Sequence, residues 1–102
     1  MNPPPPPLRL TFQAIEDARQ AREYYLDISD ELAEDYIASL REALRKVRDY
    51  PQSHGFYDVE IRRCHLTRFP YLVIYEDMTE ETVVYAVAHE KRNPAEIAKR
   101  IP

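Results

Sequence analysis

At 102 residues the chain has the length of one domain, and its 44% hydrophobic and 11% aromatic content belongs to a folded globular protein, not a disordered one. The formal net charge of -4 argues against a protein held mainly by phosphate contacts, so direct DNA binding is not expected. There is no apolar run of membrane-spanning length and no basic-then-apolar leader, and the single cysteine, Cys64, can neither staple a fold nor build a metal site alone; a cytoplasmic protein without cofactor or metal is expected.

MNPPPPP, residues 1–7, is a polyproline run and is expected as an extended arm ahead of a single domain spanning residues 8–102. LRLTFQ alternates Leu8, Leu10 and Phe12 with Arg9, Thr11 and Gln13, which predicts a strand with one buried face. From Ala14 the period lengthens. Ile15, Ala18, Ala21, Tyr25 and Ile28 recur at threes and fours, predicting an amphipathic helix with Glu16 and Asp17 in its first turn.

Ser29 is a candidate N-cap for a second helix, with Asp30 and Glu31 behind it. Its apolar stripe is Ala33, Tyr36, Ile37, Leu40, Leu44 and Val47; Arg41, Arg45, Lys46 and Arg48 load its C-terminal half, and Pro51 stops it. So short a joint predicts an antiparallel helical hairpin. YPQSHGFYD reads as a loop. Three strands follow, EIRRCHL, YLVIYE and TVVYAVAH, joined closely enough to run antiparallel, with TRFP as the corner before the second. Asn93, Pro94 and Glu96 predict the start of a short last helix.

The expected fold class is therefore α+β, in the order β-α-α-β-β-β-α, with an antiparallel sheet and a helical hairpin packed on one face. Alternation divides the last two strands. Leu72, Ile74, Val84, Ala86 and Ala88 form a small aliphatic set suited to close helix packing. Tyr71, Val73, Tyr75, Val83, Tyr85, Val87 and His89 form the other. Tyr71, Tyr75, Tyr85 and His89 are expected to share an open face, unless a bulge shifts the pairing.

The helical hairpin ending in VRDYP, then IRRCHLTRFPYLVIYE, then VVYAVAHEKRNP, with an arginine near the end, resembles the RelE/ParE superfamily of toxins from type II toxin–antitoxin (plasmid stabilisation) systems. The resemblance runs from Leu8 to Arg100 and is closest to the ParE-like branch. It implies a toxin neutralised by a cognate antitoxin that covers the open face, with Tyr71, Tyr75, Tyr85 and Arg92 as binding residues. It also implies one of two targets, because some members inhibit DNA gyrase and others cut messenger RNA on the ribosome. RNA cleavage would draw on Arg62, Arg63 and Arg68 to hold the phosphate and on His89 as acid or base. Each of these also has a structural reading: a strand-end histidine held by hydrogen bonds, or arginines that cap helix carboxylates. A decayed member that only binds antitoxin is the third alternative, and a homodimer is left open.

Overall fold

Thr11 decides where the first helix begins. In the computed structural model, which describes residues 3–102, strand β1 (Leu8–Leu10) leads through Thr11 into helix α1 (Phe12–Leu26). Met1 and Asn2, the first residues of the proline-rich arm, lie outside the described residues. Thr11 is extended, and its hydroxyl accepts a hydrogen bond from the Ala14 amide at 3.2 Å, so the helix starts earlier than the apolar period implies. Phe12 therefore leaves the strand and is 76% exposed in the first helical turn. Glu16 and Asp17 fall beyond that turn. Glu16 stays at the surface beside Arg19, whereas Asp17 joins Ala14, Ala21 and Tyr25 on the buried face.

Helix α2 (Asp30–Asp49) forms as its sequence dictates. The Ser29 hydroxyl accepts from the Leu32 amide at 3.0 Å, Asp30 and Glu31 occupy the first turn, and Lys46 and Arg48 the last. Ala33, Tyr36, Leu40, Ala43 and Val47 are its buried stripe. A single 3-10 turn at Pro51–Ser53 ends the helical half.

The segment expected as a loop contains one more strand, β2 (Phe56–Asp58), which pairs with β3 (Ile61–His65). β4 (Tyr71–Asp77) and β5 (Thr82–His89) follow, and all successive pairs from β2 to β5 are antiparallel. β1 pairs with β5 in parallel, and the sheet order is β1-β5-β4-β3-β2. The sheet is thus mixed where a purely antiparallel one was expected. The two differences have one cause. An extra strand between the hairpin and β3 adds one reversal of the chain, so β5 returns in the direction of β1.

The expected faces are inverted except at Val83, Val84 and Tyr85, which lie on the sides expected for them. Cys64, Val73, Tyr75, Val84 and Val87 pack against α1 and α2, joined by the half-buried Tyr71. Ile61, Leu72, Ile74, Val83, Tyr85, Ala86 and Ala88 form the other face, beneath Ile97 of helix α3 (Pro94–Ala98). The hairpin brings its own small residues, Ala14, Ala21, Ala33 and Ala43, so close packing selects the larger sheet residues on that side. The parity of β5 also changes midway. Ile74 stands opposite Ala86, but Tyr75 stands opposite Val84, which leaves Tyr85 without a partner in a β-bulge. Val83 and Tyr85 therefore share a face with Ala86 and Ala88.

Candidate functional site

Three of the eight residues singled out from the sequence meet. His89 ends β5 directly opposite Tyr71, with ring centroids 5.4 Å apart and planes at 75°. Arg92, three residues on, closes a shallow depression of about 200 Å³ whose other wall is Gln20, Ala21 and Tyr24 of α1. The His89 Nδ1 accepts from the Lys91 amide at 3.1 Å, so a neutral ring carries its proton on Nε2. Tyr24 is exposed and Tyr71 half-buried, so the depression presents two phenols, an imidazole and a guanidinium to solvent.

The other five lie elsewhere. Tyr75 is wholly buried under the hairpin and donates to the Pro51 carbonyl at 2.6 Å, tying the sheet to the turn after α2. Tyr85 is buried on the opposite face and donates to the Glu76 carboxylate at 2.8 Å; burial pushes its phenol up to about 12. The open face expected to hold Tyr71, Tyr75, Tyr85 and His89 together does not form, because the bulge and the α3 cover separate them. Arg62 lies over the Phe56 ring at 4.1 Å and donates to the His54 carbonyl at 2.7 Å. Arg63 is exposed, opposite Ile74 on the α3 side. Arg68 sits in the β3–β4 corner with a φ of 73°, 3.6 Å from Asp35. Burial raises the Cys64 thiol, which makes a reactive thiolate harder to form there.

One cluster went unread in the sequence. The buried Asp17 carboxylate accepts from the Val87 amide at 3.0 Å, from both terminal nitrogens of Arg100 at 2.6 and 3.0 Å, and from Arg92 at 3.3 Å. Arg100 also donates to the Tyr85 carbonyl at 3.2 Å. The forked pair joins α1, β5 and the segment after α3 at one point. A signal was available: Asp17 falls between Ala14 and Ala21 on one helical face, and a charge on a buried face needs a partner.

The exposed large apolar side chains concentrate around α1. Phe12, Ile15, Tyr24, Leu26 and Ile28 are 76%, 51%, 61%, 38% and 59% exposed. Between α1 and α2 runs a groove of about 460 Å³ in which Leu26 and Ile37 lie among Arg22, Arg41, Asp30 and Glu34. α1 thus separates the groove from the depression, and both open along it. Among the described residues, no three His, Cys, Asp or Glu side chains stand together as metal ligands, and no helix is long and apolar enough to cross a membrane.

These features define a small α+β domain with its readable surface on the first helix. Residues 8–94 match the family described as ParE toxin of type II toxin-antitoxin system, parDE, and the chain belongs to that family. A solved structure described as the chromosomal ParDE TA system from P. aeruginosa contains a chain with the same fold, at a TM-score of 0.74 and 18% identity. The superposition covers 82% of this chain and 95% of that one. A search of curated proteins finds no match.

Proposed function

We propose that this chain arrests growth by binding DNA gyrase and is held silent by a cognate antitoxin. The observation that carries the reading is the surface along α1. A protein that acts by docking needs exposed apolar side chains with polar handles; Leu26 with Arg22 supplies them in the groove, and Tyr24 with Arg92 in the depression. The groove between α1 and α2 suits the amphipathic segment of an antitoxin that folds as it binds.

The groups that RNA cleavage requires stand apart. Arg62 is opposite Tyr75, which is opposite Val84, five residues before His89. At about 3.3 Å per residue that is roughly 15 Å along the strands. Arg63 is nearer along the sheet but on its other face, opposite Ile74. One scissile phosphate would not reach an arginine of this pair and His89 together; Arg68 lies at the His89 end of the sheet but is drawn to Asp35 of α2, and this favours docking over catalysis.

The test is to induce the chain with and without its antitoxin and to follow plasmid topology and transcript ends. Relaxed or broken DNA with intact transcripts, suppressed by the antitoxin, is the expected result. Cleaved transcripts, or normal growth with unchanged DNA, would overturn it.

A further inference from the structure

A second cleft lies at the edge of the sheet remote from β1. The β2–β3 turn and the segment after α3 enclose about 300 Å³ over an apolar floor of Ile61, Ala98 and Ile101. Val59 is 86% exposed at its lip. Such a side chain on a turn tip gains nothing in the free protein and gains burial when a partner covers it.

The rim decides which partner. Asp58, Glu60 and Glu76 border the cleft, and Asp77 lies beside Glu60 and Glu76 in the adjoining hollow. None of the four is within 4 Å of a cation among the described residues, although most carboxylates on the helices have one. Arg62, the one arginine at the hollow, is held by the Phe56 ring and the His54 carbonyl instead. Glu76 accepts from Tyr85, and Asp58 accepts from the Val59 amide at 2.8 Å, which shapes the turn. The rim is left negative over an apolar floor, next to β2, an edge strand of the sheet.

We infer that this cleft is a docking site for a basic, apolar-anchored segment of a partner protein, separate from the α1 surface. An aliphatic side chain of the segment covers Val59 and Ile61, and flanking Lys or Arg side chains meet Glu60 and Glu76. The charge acts on recognition and association rate, the burial on residence.

Nuclear magnetic resonance on the full chain, labelled with ¹⁵N by cell-free synthesis, tests this. The probe is a capped peptide with isoleucine and leucine set between lysine and arginine residues; its counterpart carries glutamate in place of the basic residues. The basic peptide should shift amides at 58–61 and 97–101, and the acidic one should not. Glu60→Lys and Val59→Ser, both at exposed positions, should each weaken binding, the first by about tenfold. Equal binding of both peptides, shifts confined to other residues, or unchanged affinity in Glu60→Lys would overturn the inference. So would concentration-dependent shifts of the same amides without peptide, which would make the occupant a second copy of the chain.

Discussion

The two faces of the sheet are covered in different ways. One lies under helices of 15 and 20 residues, whose alanines let Tyr25, Tyr36 and Phe69 interlock with Val73, Tyr75 and Val87. The ring centroids of Tyr25 and Phe69 are 5.0 Å apart and those of Tyr36 and Phe69 5.6 Å, both edge-on. The other lies under a helix of five residues that contributes one fully buried side chain, Ile97. A helix that short has little stability of its own. Apolar area holds the first cover; the second leans on charge, through Arg100 and Asp17. Opposite strategies thus meet across one sheet, and each can be broken separately.

The largest expected effect comes from the charged pin. Arg100→Leu leaves a buried carboxylate with the Val87 amide and a longer contact to Arg92, and losing one partner of a buried pair costs about 3–5 kcal/mol. Urea denaturation should show that loss. Hydrogen exchange should show the amides of residues 97–101 opening more readily than those of α2. Arg100→Lys should restore little, since an ammonium cannot reproduce the fork. A loss below about 1 kcal/mol would place the pair with ordinary surface ion pairs such as Arg45–Glu42.

How much of this was readable beforehand depends on the range of the physics. Ser29, Asn93 and Pro94 act over three or four residues, and the helix starts they predict are present. The α+β class follows from the change of period, which is also local. Thr11 is equally local, but its capping role was hidden by an alternation that continued through Phe12. The faces of β4 and β5 depend on a bulge at Tyr85, and no residue type marks that position. Strand β2 has three residues and no alternation, so pairing with β3 makes it a strand. Of the candidate site, Tyr71, His89 and Arg92 come together because Tyr71 begins β4 opposite His89 at the end of β5, and Arg92 follows three residues later. Asp17 and Arg100 are 83 residues apart, and only the folded chain brings them into contact.

An alkaline titration compares the two covers more gently. Burial raises the phenols of Tyr25, Tyr36 and Tyr75 on the hairpin side and of Tyr85 on the α3 side, with Tyr25 and Tyr85 pushed up to about 12. A folded-state pKa above the unfolded value of 10.0 means that this stability is complete below pH 10 and is lost as pH rises through the folded value. Stability should therefore fall above pH 10, by at most roughly 3 kcal/mol for Tyr85. Ultraviolet absorbance should show Tyr25, Tyr36, Tyr75 and Tyr85 ionising only with unfolding. Ionisation of these four phenols near pH 10 with the fold intact would contradict the burial.

The smallest effect separates area from polarity within the hairpin side. Tyr36 is fully buried, and its hydroxyl has no hydrogen-bond partner. Its ring is held at 5.3 Å from Tyr25 and 5.6 Å from Tyr71, contacts that phenylalanine keeps. A buried hydroxyl without a partner carries an uncompensated desolvation cost, so Tyr36→Phe should stabilise the fold by up to about 1 kcal/mol. The matching change on β4 should have the opposite sign. Tyr75→Phe takes away the donor to the Pro51 carbonyl and should cost about 1 kcal/mol. Chemical denaturation of the two variants side by side measures both. If Tyr36→Phe is destabilising, its hydroxyl has a partner in solution, and polarity contributes to a cover that the packing here attributes to area.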